Sequence, residues 1–212
     1  MAPLDIVRAF HNAFRRDISQ IDDSVYKIAR SGGDLKPVLD RFHIMGEILD
    51  THAKGEEAAV FPAVENLAPL VAKAYVTDHR ELDTMVSELE AMRKTPDPLI
   101  TTRATAVLKS HLRIHLYKED VQLYPLLSEQ TTESEQASIV RSMSKTMPPD
   151  RYPTAVQWLF PLIDLDDRVV VTRVWLSEMP PPVFDGLKSL IKKAVAENWV
   201  ELTQKIPELN DR

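Results

Sequence analysis

Apolar residues recur every three or four positions through much of this chain, the period of an α-helix buried on one face. Ile6, Phe10, Phe14, Ile18, Ile21 and Val25 form one such stripe and predict a first helix from about Pro3 to Arg30. Ser31-Gly32-Gly33-Asp34 interrupts it, and Pro37 suits the first turn of the next helix. That second helix is expected to reach about Asn66, and a third to run from near Pro69 to Lys94. A fourth follows the Thr95-Pro96-Asp97-Pro98 loop and is expected to end near Ser128. Short breaks between long amphipathic helices imply antiparallel neighbours. Residues 1–128 therefore read as an all-α, up-down-up-down four-helix bundle.

The pattern changes after Ser128. Residues 129–138 are polar and 139–147 could form a short helix, so 129–150 reads as a linker with one short helix, closed by Pro148-Pro149-Asp150. Residues 151–212 hold Trp158, Trp175 and Trp199 and read as a C-terminal helical extension. Its VVVTRVWL stretch could be a strand, but no partner strand is in sight, so a helix is expected. After Pro180-Pro181-Pro182 a final helix is expected from Val183 to about Gln204. This extension carries no catalytic motif. Its expected role is a cap packing on the bundle or at a dimer surface, with covering a substrate channel as the alternative.

Composition narrows the chemistry. The 212 residues contain no Cys, which removes disulfides, thiolate nucleophiles, iron–sulfur clusters and Cys-type zinc sites together. Any metal must be held by His and carboxylates. A net charge of −6 without a basic stripe argues against nucleic acid as a partner. No apolar run approaches the roughly 20 residues that span a bilayer. Asp5, Arg8, Arg15 and Arg16 make the N-terminus unlike a signal peptide or anchor, so no membrane partner and a cytoplasmic location are expected.

Two stretches repeat one pattern, HAKGEEAAVFP from His52 and HLYKEDVQLYP from His115. Each has Glu four residues after the His, then an aromatic residue and a Pro at matching positions. A lone His-x3-Glu is weak evidence, but His and Glu one turn apart leave the same helix face, and two such pairs facing each other make a carboxylate-bridged site. In an antiparallel hairpin, residues equidistant from the loop share one height. The midpoint of His11 and His52 falls within Ser31-Gly32-Gly33, and that of His79 and His115 on Asp97. The His52–Glu56 turn and His79 are centred on the break before Pro69. Each helix thus delivers one His to one level, and the second and fourth add Glu56 and Glu119. His43 also has a Glu four residues on, but it lies nine residues before His52, on the opposite face, and reads as a solvated pair with Glu47. His111 and Asp83 share the next level and are expected to form a hydrogen-bonded pair behind the ligands, with an extra ligand or a structural role as alternatives. Asp120 could replace Glu119 as the bridge, although symmetry with Glu56 favours Glu119.

His11, His52-x3-Glu56, His79 and His115-x3-Glu119, in that order, resemble the hemerythrin-like family and in particular its His-His-Glu branch. The resemblance covers about residues 5–128. It implies two non-haem iron ions, one held by His11 and His52 and the other by His79 and His115, with Glu56 and Glu119 bridging. Manganese or a mixed pair fits the same donors. One departure stands out. The oxygen-carrying members use His-x3-His on the third helix, where this chain has Asp83, although Asp120 meets their His-x4-Asp spacing on the fourth. The four-His, two-Glu set resembles instead members linked to nitric oxide, peroxide and iron-centre repair or sensing. The leading expectation is a di-iron protein that binds or reacts with oxygen, hydrogen peroxide or nitric oxide. An iron or redox sensing or storage module, or a di-iron oxidase acting on an organic substrate beneath the extension, are the alternatives, and a homodimer is possible.

Overall fold

The computed structural model describes residues 2–210, which are helical almost throughout, with no strand among them. Four long helices form the up-down-up-down bundle. The first, α1, spans Asp5–Ser31. The second, α2, comprises Lys36–Gly55, a widened turn at Glu56–Val60, and Phe61–Leu67. Helix α3 spans Val71–Met92. Helix α4 repeats the build of α2, with Pro98–Lys118, a widened turn at Glu119–Leu123, and Tyr124–Gln130. The breaks are chemically explicit. Gly32 leaves α1 at φ 78°, a conformation open to glycine, while its N–H caps the Ile28 carbonyl. Asp97 accepts from the Ile100 N–H at 2.8 Å to start α4.

The stripes meet inside the bundle. Phe14, Ile18 and Ile21 from α1, Phe42 and Met45 from α2, Leu89 from α3, and Leu108 and Leu112 from α4 are fully buried. Each such side chain contributes roughly 1.5–3 kcal/mol through loss of apolar surface to water. This apolar mass fills one half of the bundle and leaves the other for the polar cluster.

The widened turns are π-helical. The Phe61 N–H bonds the Glu56 carbonyl and the Tyr124 N–H bonds the Glu119 carbonyl, each five residues back instead of four. A proline follows each, Pro62 and Pro125, with no N–H to donate and a ring that crowds the carbonyl four residues earlier. The extra width accommodates that ring, and it begins in both helices at the conserved position of the internal repeat, the Glu.

Five further helices follow: α5 (Glu133–Ser144), α6 (Tyr152–Leu162), α7 (Leu165–Glu178), α8 (Pro181–Ala194) and α9 (Trp199–Lys205). Three expectations need correction or completion. The short linker helix starts at Glu133, because Thr132 and Glu135 form a reciprocal capping box inside the stretch read as polar linker. The VVVTRVWL stretch lies in α7, capped by Asp164 accepting from the Asp167 N–H. The expected final helix is two, separated by a 3-10 turn at Ala196–Asn198.

The extension docks on the bundle. The Trp158 indole N–H donates to Asp17 on α1 at 2.6 Å, and its ring packs against Phe14 with centroids 4.9 Å apart. Asn12 on α1 donates to Asp167 on α7 at 2.8 Å. Helix α5 closes over α2 at Gly55, where a Cβ would lie 3.3 Å from the Met143 Cβ. Ile100, Val107 and Ile114 of α4 are 52%, 49% and 58% exposed.

Candidate metal centre

His11, Glu56, His79, His115 and Glu119 are buried, and the His52 side chain is 8% exposed. Helical periodicity brings them to one level, as the loop midpoints required. The arrangement of carboxylate oxygens is the informative part. Glu56 turns Oε1 towards His52 Nε2 at 3.3 Å and His11 Nε2 at 3.9 Å, and Oε2 towards His79 Nε2 at 3.4 Å. Glu119 does the converse, with Oε2 3.5 Å from His11 Nε2 and Oε1 3.2 Å from His115 Nε2 and 4.0 Å from His79 Nε2. Each carboxylate therefore presents one oxygen to the His11–His52 pair and one to the His79–His115 pair.

These donors fit metal ions better than they fit each other. Glu56 Oε2 and both Glu119 oxygens are buried without a hydrogen-bond partner among the described residues. His11 and His52 bring their Nε2 atoms within 3.2 Å. Two ligand atoms on one ion, with bonds of about 2.1 Å at about 100°, are separated by about 3.2 Å. Glu56, His79, His115 and Glu119 form one group of compatible donor atoms, and His11, His52 and Glu56 another.

Charge in this interior is uneven when no cation is present. Burial pushes the Glu119 carboxyl well above its ordinary range, and the Glu56 charge beside it adds to the effect. Burial would raise Glu56 too, but His52, His11 and His79 hold it well below. Burial pushes His115 down to about 4, so its imidazole is neutral and its nitrogen lone pair free for an ion. Three partnerless carboxylate oxygens in a buried site carry a heavy desolvation cost, which a bound cation relieves.

The outer nitrogens of three histidines are held by carboxylates. His11 Nδ1 lies 2.8 Å from Asp120, His79 Nδ1 3.0 Å from Glu57, and His115 Nδ1 3.2 Å from Asp78. Each carboxylate is paired in turn with a cation: Asp120 with Arg15, Glu57 with Arg80 and Asp78 with Lys118. Such partners fix the ring and direct the inner nitrogen at the site. Asp120 thus stands behind His11 and not between the two histidine pairs. Sequence reasoning missed Glu57 and Asp78, although each adjoins a candidate ligand in the chain, as Asp120 adjoins Glu119. It also missed Tyr124, the aromatic of the second repeat, whose hydroxyl donates to Glu56 Oε1 at 2.6 Å. The matching aromatic, Phe61, packs on His79 with centroids 5.1 Å apart.

Two expected partners are not brought together. His111 is exposed and faces Glu81 at 4.0 Å, while Asp83 is exposed and pairs with Arg80 at 3.1 Å. They share a height but not a direction. Four residues advance a helix by about 400°, and the extra 40° turns both outward. His43 is also outside the cluster, 3.1 Å from Glu90 and 3.9 Å from Glu47.

Among the described residues, no helix is long and apolar enough to cross a membrane. Similar curated proteins are found in Arabidopsis thaliana. The zinc finger protein BRUTUS is 24% identical over a region covering 79% of this chain and 14% of that protein. Two BRUTUS-like zinc finger proteins are each 20% identical, covering 99% and 82% of this chain but 18% and 16% of their own length. The chain thus spans less than a fifth of these relatives. No solved structure matches. The family described as the Hemerythrin HHE cation binding domain matches residues 2–127. With the bundle and its buried His/Glu cluster inside that match, the chain belongs to the hemerythrin HHE cation-binding family.

Proposed function

We propose that this protein holds two iron ions, one between His11 and His52 and one between His79 and His115, and reacts there with a small oxidant. The observation that carries the reading is the division of the Glu56 and Glu119 oxygens between the two histidine pairs. Each ion would then receive two imidazoles and two carboxylate oxygens from the chain. Bound iron would supply redox electrons and coordination positions open to oxygen, peroxide or nitric oxide.

The chain's own residues prepare that chemistry. Asp120, Glu57 and Asp78 keep three imidazoles oriented with the inner nitrogen facing the site. Tyr124 steadies Glu56 from the side and keeps a phenolic proton in the site, its ionisation pushed well up by burial and by the Glu56 charge. Asp83, where an oxygen carrier of this family has a fifth histidine, faces Arg80, so the donor set favours reactivity over reversible oxygen carriage.

Mixing the iron-loaded protein with hydrogen peroxide, and separately with nitric oxide, tests the reading by optical stopped flow and oxygen release. A rapid spectral change with at least one of them is expected. Iron-loaded protein inert to oxygen, peroxide and nitric oxide would leave storage or sensing as its role. The exposed Ile100, Val107 and Ile114, seven residues apart on α4, further support a second copy of this chain as partner. Sedimentation should show a dimer that Ile114→Glu dissociates; a monomer at all concentrations removes that partner.

A further inference from the structure

The internal repeat has a defect that coincides with a cavity. His52, Glu56 and Phe61 of α2 recur 63 positions later in α4 as His115, Glu119 and Tyr124, and His11 of α1 recurs 68 positions later in α3 as His79. The supporting groups obey the same offsets. Glu57, which holds His79, corresponds to Asp120, which holds His11. His115 is held by Asp78, and Asp78 by Lys118. The corresponding residues around His52 are Phe10 and Gly55. Phe10 stacks on the His52 ring at 6.0 Å instead of accepting from it. His52 is therefore the one histidine of the four whose outer nitrogen has no carboxylate among the described residues.

The space left by that missing pair is a cavity of about 130 Å³ between α1, α2 and the extension. Phe10, His52 and Gly55 are in its wall, with Ile48, Val140 and Val174 among the apolar residues around them. Its hydroxyls are already committed to backbone carbonyls, Thr51 to Glu47, Ser144 to Arg141, Thr146 to Met143 and Tyr152 to Ser144. Arg141 and Glu178, at its edge, neutralise each other as an ion pair. Two donors remain without a hydrogen-bond acceptor among the described residues, His52 Nδ1 and the Trp175 indole N–H. Both side chains are more than nine-tenths buried, with the His52 side chain 8% and Trp175 8% exposed. An apolar cavity of about 150 Å³ is enough for a benzene-sized molecule.

We propose that this cavity binds a compact, uncharged, largely apolar molecule of about six heavy atoms that carries an oxygen acceptor, such as a small cyclic ketone. Its oxygen takes the place of the missing carboxylate, accepting from His52 Nδ1 or the Trp175 N–H, while its apolar body fills the space beneath the extension. Binding needs only the cavity. Its influence on the metal, through His52, rests on the di-iron reading above.

The test titrates iron-loaded protein with cyclopentanone and with methylcyclopentane, nearly the same shape without the oxygen, by calorimetry. Cyclopentanone is expected to bind about fivefold tighter, the increment of one hydrogen bond. It should also shift the near-ultraviolet absorption of the iron centre. Trp175→Phe, which keeps the ring and removes one donor, should narrow the preference, and Val174→Trp should abolish binding of both while iron content stays unchanged. If Val174→Trp does not fold, the wild-type titration still decides. Absence of binding, equal affinity for both probes, or binding unaffected by a folded Val174→Trp overturns the proposal. Cyclopentanone binding to protein that takes up no iron would keep the cavity site and sink the di-iron reading instead.

Discussion

An imidazole has two nitrogens, and the one facing away from an ion decides how firmly the other is held. His115 shows this most fully, since Asp78 accepts from its Nδ1 at 3.2 Å and is itself paired with Lys118. Asp78→Asn keeps an acceptor but removes the charge. It should weaken iron binding by about 10–100-fold, read by competition with a chelator, while helical content is retained. Removing a proposed ligand should do more. His115→Ala is expected to lose at least one iron per chain, and a variant with full iron content would remove His115 from the assignment. The six inner side chains were legible because residues four apart share a helix face and residues equidistant from a loop share a height. Glu57 and Asp78 were not, because they serve a histidine on the neighbouring helix, and no period within one helix announces that. His111 and Asp83 failed for the complementary reason: equal height does not fix direction.

At the scale of the element, the strongest sequence signals were the loops. Pro37, Gly32 and the Thr95–Pro98 break located the helices to within a few residues, since a missing N–H or a positive φ acts locally. The Thr132–Glu135 capping box was equally local but hidden in a polar run. The widened turns were not anticipated, although Pro62 and Pro125 recur at matching positions. Leu70 supplies a direct test of backbone reasoning. It sits just before α3 at φ 74°, a left-handed conformation unfavourable to a side chain, and is 76% exposed, so little packing depends on it. Leu70→Gly should raise stability by about 1 kcal/mol in urea denaturation. Asp97→Ala should lower it by about as much through loss of the α4 cap.

At the scale of the whole molecule, the question is how bundle and extension hold each other. That the tail would be helical was readable from its pattern; that Trp158 would reach Asp17 was not, because 141 residues separate them in the chain. Trp158→Phe removes the donor to Asp17 Oδ2, leaving Arg41 on the other oxygen, and should cost about 1–3 kcal/mol. Burial pushes the Asp17 carboxyl above its ordinary range, with Trp158 and Arg41 opposing it only in part. The folded state thus holds that proton more tightly than the unfolded chain. Stability from this group falls as pH rises through the ordinary carboxyl range towards the raised value. Asp17→Asn cannot ionise, so its stability relative to the unaltered protein should increase across that window, measured by thermal unfolding at a series of pH values. The central proposal, that the bundle holds two ions, rests on the division of the Glu56 and Glu119 oxygens between the two histidine pairs. Metal analysis of the purified, iron-reconstituted protein, scaled to chain concentration, tests it most directly. Two iron ions per chain, with near-ultraviolet absorption from the oxidised pair, are expected; a single ion per chain, or a colourless protein that retains only zinc, would contradict it.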